Sequence, residues 1–171
     1  LGVALAGSVD AAALLAALDD RHADCVRVLV RPPNAGTLVA ATPERLVRRT
    51  GATVECDALA GTINTSLPDA RDKLLASTKD RREHDLVVDA IRTALEDAGA
   101  IIQAPTTPDV RALRHVLHLH TPFHATLREP RHVLELVARL HPTPAVGGTP
   151  TTTAIDWIAS HEPVARGWYS S

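Results

Sequence analysis

Cysteine is scarce in this sequence: Cys25 and Cys56 are the two among 171 residues. They fall on different expected strands without the close spacing of metal-binding cysteines, which argues for buried free thiols rather than a disulfide or a cysteine-held metal. An excess of one charge is missing too. Eighteen Lys and Arg against twenty Asp and Glu leave a formal net charge of -2, so no electrostatic case arises for a nucleic acid or an anionic membrane as partner. Long apolar runs are absent. The longest, Ala11 to Leu18, falls far short of the roughly 20 residues that span a bilayer, and no basic segment precedes it as in a signal peptide. A soluble, cytoplasmic protein is expected. Internal repeats, low-complexity tracts and interdomain linkers are lacking as well, and 171 residues suffice for a single domain with a real core. No oligomeric state is implied.

What is present centres on Leu67 to Gly99, which reads as one long helix. Pro68 suits a first helical position and Gly99 a terminus. Leu75, Thr78, Leu86, Val87, Ala90, Ile91, Ala94, Leu95 and Ala98 recur at helical spacing and form an apolar stripe. By helical steps Ala76, Lys79, Glu83, Val87, Ala90 and Ala94 share a face, which turns the Glu83 carboxylate toward the interior with Lys79 one turn away. Two readings of Glu83 follow: an ion pair with Lys79 at the edge of the stripe, or a carboxylate holding a metal.

Elsewhere Asp10 starts a short helix with Leu14, Leu15 and Leu18 on its buried side. Alternation over Val26 to Val30, a Pro- and Gly-bearing turn and Thr37 to Ala41 read as one hairpin; Glu44 to Arg49 and Thr53 to Leu59 read as a second. Two hairpins imply an antiparallel sheet. Ala104 to Pro108 is a connector, Arg114 to Leu127 an extended segment, and Pro130 to Leu140 a helix. Thr149 and Pro150 open a last helix through Ser160 as its cap and first residue. The Gly147-Gly148-Thr149 run before it could offer N–H groups to an anion, or be an ordinary capped turn. On a strand, His118 and His120 would share a face about 7 Å apart, a spacing open to zinc, with His124 nearby. No third ligand is identifiable, and no stoichiometric zinc is expected.

Four stretches carry a resemblance. LLASTKDRREHDLVVDAIRTAL at 74–95, LHPTPAVGGTP from Leu140 to Pro150 followed by ARGWYS, TPERLVRR from Thr42 and ALAGT ending at Thr62 resemble, in order, motifs of the chorismate-utilising enzymes, and most of all of the isochorismate synthases. The resemblance implies an α+β fold of antiparallel sheet flanked by helices, chorismate as the small-molecule substrate and Mg2+ as cofactor. It implies Glu44 of TPE as the general acid, Gly61 as the point where backbone approaches substrate, His118 of HLHTPF as a hydrogen-bonding group near the ring, and Glu83 as the magnesium ligand. Ala145, Val146 and Gly147 would border the site, in a form that resembles the isochorismate synthases more than the anthranilate synthases and so favours water over ammonia. Departures stand beside the matches. Ile63, Asn64, Thr65 and Ser66 follow AGT where arginine and glycine are common in the family. In GVALAGSVD, Gly2 and Gly7 stand where the family carries a lysine base and an arginine. The partner glutamate for magnesium would lie past Ser171. The chain is thus expected to be an incomplete segment of a longer chorismate-binding domain, without isochorismate synthase activity by itself. Anthranilate or salicylate formation, a non-catalytic remnant and a zinc hydrolase are the alternatives, and whether the pathway makes menaquinone, a siderophore or salicylate is not readable.

Overall fold

In the computed structural model, which describes residues 7–21, 25–34, 36–164 and 166–167, Asp10 caps the first helix as expected. Its Oδ1 accepts hydrogen bonds from the backbone N–H groups of Ala12 and Ala13, and α1 spans Ala11–Arg21. The side it buries differs from expectation: Leu14 is exposed, Leu15 and Leu18 are half-buried, and Ala11 is buried. Strands β1 (Val26–Val30) and β2 (Leu38–Thr42) form the first hairpin, Val26 opposite Thr42 and Val30 opposite Leu38. These elements make up one compact unit, Leu1–Glu44; Arg45–Ser171 form a second.

The second unit is built on a five-stranded antiparallel sheet. Strand β3 (Arg48–Thr50) turns through Gly51 into β4 (Thr53–Asn64), as the sequence predicts, but the two hairpins belong to separate sheets rather than one. Strand β7 (Val116–Leu127) is central: β4 lines one edge along its length, while β5 (Ala100–Gln103) and β6 (Asp109–Ala112) share the other. Period-two alternation then sorts the side chains. Val54, Cys56 and Ala58 of β4 and Leu119, Thr121, Phe123, Ala125 and Leu127 of β7 are buried. Pro122 would ordinarily argue against a central strand. It is tolerated because β6 ends its pairing at His120 and β5 begins at His124, so on that edge no partner is present to miss the absent N–H.

Helices cover the buried face. The expected single helix is two: α2 (Ala70–Ala76) and α3 (Thr78–Asp97), broken where Ser77 turns extended at φ -69 and ψ 109. Ser77 Oγ accepts from the Asp80 N–H and bonds the Asp80 carboxylate, a Ser-x-x-Asp cap that outcompetes continuation of the helix. Nor does Pro68 open the helix, since α2 begins at Ala70. Gly99 does stand just past the end of α3. Val87, Ile91, Ala94 and Leu95 of α3 pack with Phe123, Leu127 and Val54 of the sheet and with Leu136 and Leu140 of α4 (Val133–Leu140). Each large apolar side chain so buried contributes about 1.5–3 kcal/mol. His132 caps α4, with Glu135 returning the bond to the His132 N–H. A single turn, α5 (Pro144–Gly147), and α6 (Thr151–His161) follow.

Candidate functional site

The site grows from an irregularity in β4. Pairing with β7 shifts between Ala60 and Thr62, and Gly61 sits in the bulge at φ +73. A Cβ on Gly61 would stand 2.9 Å from the Cβ of Asp80, in the first turn of α3, and 3.4 Å from a methyl of Leu119. Glycine is therefore required twice over, for its backbone conformation and for the close seat of the helix on the strand. The next residue, Thr62, shares a hydrogen bond of 2.9 Å between its Oγ1 and His118 Nδ1 across the sheet. Two of the residues singled out in the sequence, Gly61 and His118, are thus joined through Thr62, which the sequence reading passed over.

Glu83 lies one turn past Asp80, and its placement corrects the sequence reading. The buried stripe of α3 runs through His84, Val87, Ile91, Ala94 and Leu95, one residue out of phase with the expected face. Glu83 consequently points outward. Its side chain is 52% exposed and pairs with Lys79 Nζ at 2.9 Å, within its own helix. That bond and the carboxylate's charge hold the Lys79 ammonium above its ordinary range. Leu86, expected in the stripe, is exposed too. Carboxylate oxygens are the donors a hard cation prefers, and this carboxylate is open to water; Lys79 is the group a cation would displace.

His84 takes the interior place instead. It is fully buried, its Nε2 shares a 2.8 Å hydrogen bond with Thr121 Oγ1 of β7, and its Nδ1 is buried without a hydrogen-bond partner. Burial lowers its pKa below the ordinary histidine value, with Asp85 and the Ala60 backbone opposing the shift. A stripe carried one turn back from Val87 reaches His84, and that is the signal by which the sequence could have revealed it.

The histidines of β7 are otherwise engaged. His120 Nε2 meets Asp57 Oδ1 at 2.7 Å, and Asp57 also faces Arg45 at 3.4 Å and Arg111 at 4.0 Å. His124 lies 4.0 Å from Glu55. His118 and His120 therefore each have a different partner, and among the described residues no three His, Cys, Asp or Glu side chains converge as metal ligands.

Glu44 belongs to the first unit and lies outside any strand, since β3 starts at Arg48. Its N–H donates to Thr42 Oγ1 at 3.1 Å and the residue is exposed. Gly2 lies outside the described residues. Ala145, Val146 and Gly147 form α5, which packs against α3, and the Val146 carbonyl accepts from Arg166 at 2.9 Å. The anion-binding reading of the glycine run is corrected here: the N–H groups of Gly147 and Gly148 already donate to the carbonyls of Thr143 and Pro144. Thr149 is not the cap of α6 either; Pro150 occupies that position, with no side-chain bond.

The chain is similar to known proteins in sequence and in fold. The family described as "Chorismate binding enzyme" matches residues 1–171. The salicylate biosynthesis isochorismate synthase of Pseudomonas aeruginosa is 46% identical over 156 residues, covering 88% of this chain and 33% of that protein. The isochorismate synthase MenF of Bacillus subtilis is 37% identical over 159 residues, covering 90% and 33%. Among solved structures, the putative 2,3-dihydroxybenzoate-specific isochorismate synthase DhbC of Bacillus anthracis superposes with a TM-score of 0.85 at 35% identity, over 94% of this chain and 46% of that one. The chain spans about a third of the length of these curated relatives (33% of each). With the family matched from its first residue to its last, and with the glycine bulge, the histidine strand and the Glu-His helix assembled on one α+β scaffold, this chain belongs to the chorismate binding enzyme family.

Proposed function

We propose that this chain is the part of an isochorismate synthase that presents the Gly61 bulge, His118 and Glu83 to chorismate. The observation that supports this most is the junction of Gly61, Asp80, Thr62 and His118, because it gathers three motif stretches distant in sequence at one end of the sheet. In the reaction a water adds to one ring carbon, the ring double bonds shift, and a hydroxyl leaves from another carbon. By resemblance the leaving hydroxyl takes a proton from the acid of the TPE motif, Glu44, and departs as water. The attacking water's proton passes to a base at the position where this chain has Gly2, and which this chain does not supply. The Gly61 backbone, with no side chain to intervene, lets the ring come close, and His118, fixed by Thr62, directs a hydrogen bond at it. Ala145, Val146 and Gly147 border the ring. Glu83 would hold magnesium, which when bound offsets the charge of the substrate carboxylate.

Chorismate titrated into the chain with Mg2+, followed by two-dimensional NMR, tests the reading. Shifts confined to Gly61, Thr62, His118 and the first turns of α3 are expected. No chorismate-dependent change at those residues would overturn it. Chromatography of the same mixture is expected to show no isochorismate above a protein-free blank. Isochorismate would show that the chain does not need the base missing at Gly2, whereas anthranilate with added ammonia, or salicylate, would assign the chain to another chorismate reaction.

A further inference from the structure

His84 is a residue the proposed chemistry leaves unused, and its surroundings are not those of an ordinary core position. It is the first buried residue of α3, it stands where an apolar side chain would, and it brings into the core a ring whose Nε2 bonds Thr121 and which lies against the Ala60 backbone. What the imidazole adds over leucine is direction, because a hydrogen bond to Thr121 fixes the rotation of the helix and an apolar contact does not. Two further contacts pin the same turns of α3. Ser77 caps its start, and Asp80 rests against Gly61. Glu83 sits between Asp80 and His84 in sequence, about 100° around the helix from His84, so the rotation that seats His84 on Thr121 is the rotation that turns Glu83 outward.

We propose that His84 is a positioning residue for Glu83, holding the first two turns of α3 in the one rotational setting that turns the carboxylate out of the core and into solvent, within reach of a cation. This rests on the reading of Glu83 as a magnesium ligand. A purely structural role for His84 and a positioning role predict different outcomes for replacement by leucine.

The test uses the whole chain and the variants His84→Leu, His84→Gln and Thr121→Val. Amide hydrogen exchange and the response of the Glu83 amide to Mg2+ alone are measured by NMR, with the urea midpoint recorded for each protein. His84→Leu is expected to keep or raise the midpoint while exchange at Lys79 to Glu83 rises by about tenfold and the Mg2+ response at Glu83 weakens. Gln, which keeps a polar group able to reach Thr121, is expected to restore both readouts in part. Thr121→Val removes the partner hydroxyl without emptying the core and should behave as His84→Leu does in the first turns of α3. Wild-type exchange and Mg2+ response in both His84→Leu and Thr121→Val would overturn the inference. A native Glu83 amide that ignores Mg2+ while local exchange responds as expected would remove the magnesium role and leave the positioning role standing.

Discussion

His84 shows how one side chain ties stability to pH. Leaving a buried nitrogen without a partner costs about 1–3 kcal/mol, and burial keeps the ring neutral by lowering its pKa from the ordinary 6.5. As pH falls below that ordinary value, the unfolded chain takes up a proton that the folded chain refuses. The stability tied to His84 is therefore complete above 6.5 and is lost on acidification toward the lowered folded value, with a slope of at most about 1.4 kcal/mol per pH unit. Urea unfolding of the native chain and of His84→Leu, at about pH 7.5 and about pH 5.5 with a chelator present, isolates the effect. The native chain is expected to lose more stability than the variant over this interval. Equal losses would mean that the folded ring takes up its proton as readily as the unfolded one. Cys56 is also governed by burial, its thiol pushed up to about 12 beside Asp57.

Among elements, the seating of α3 on β4 is what brings Asp80 against Gly61. The strand bulges at Gly61 so that the first turn of the helix can lie against backbone, and a methyl group there would collide with Asp80 at 2.9 Å while forcing a side chain into left-handed backbone. Gly61→Ala is expected to destabilise the chain by about 2–4 kcal/mol, combining conformational strain with overpacking. Gly99, at φ +75 past the end of the same helix, has nothing within 4 Å of its missing Cβ. Gly99→Ala should therefore cost only about 1 kcal/mol, the backbone component alone. Urea midpoints of the two variants make the comparison. Equal losses would mean that the close approach of Asp80 to Gly61 contributes nothing.

At the scale of the whole molecule the two units differ in what they can bury. Arg45–Ser171 hold the five-stranded sheet, α2 to α6 and the core around Phe123 and Leu95. Leu1–Glu44 hold one helix and a two-stranded hairpin, with Ala11 the buried hydrophobic among the described residues there. A lone hairpin is marginal in water. A polypeptide of residues 45–171 is expected to unfold cooperatively in urea, by circular dichroism, with a midpoint near that of the full chain, whereas residues 1–44 alone should give no cooperative transition. A 45–171 polypeptide without a cooperative transition would show that the larger core depends on the smaller unit. No helix among the described residues is long and apolar enough to cross a membrane.

Features that depend on neighbours in sequence were legible in it. Asp10 as a cap, Gly99 as a terminus, the hairpins on either side of Glu44, the extended histidine strand and the apolar side of α4 all follow from local periodicity and capping chemistry. Gly61, His118 and Glu83 were singled out through resemblance rather than through local chemistry. Their surroundings were not legible. The break at Ser77 had a local signal, the Ser-x-x-Asp cap, but the apolar period running through it reads as continuous and hides it. β5 and β6 are too short to stand out and are strands because β7 is there to pair with them. The phase of α3 shows the division most clearly. An apolar stripe broad enough to include either Glu83 or His84 leaves the choice open, and it was made by a bulge in β4 and a hydroxyl on β7, at Gly61 and Thr121. Periodicity tells a helix which side to bury only to within about one residue, or 100°; the contacts that settle the remainder come from strands distant in the chain, and they turned His84 inward and Glu83 out.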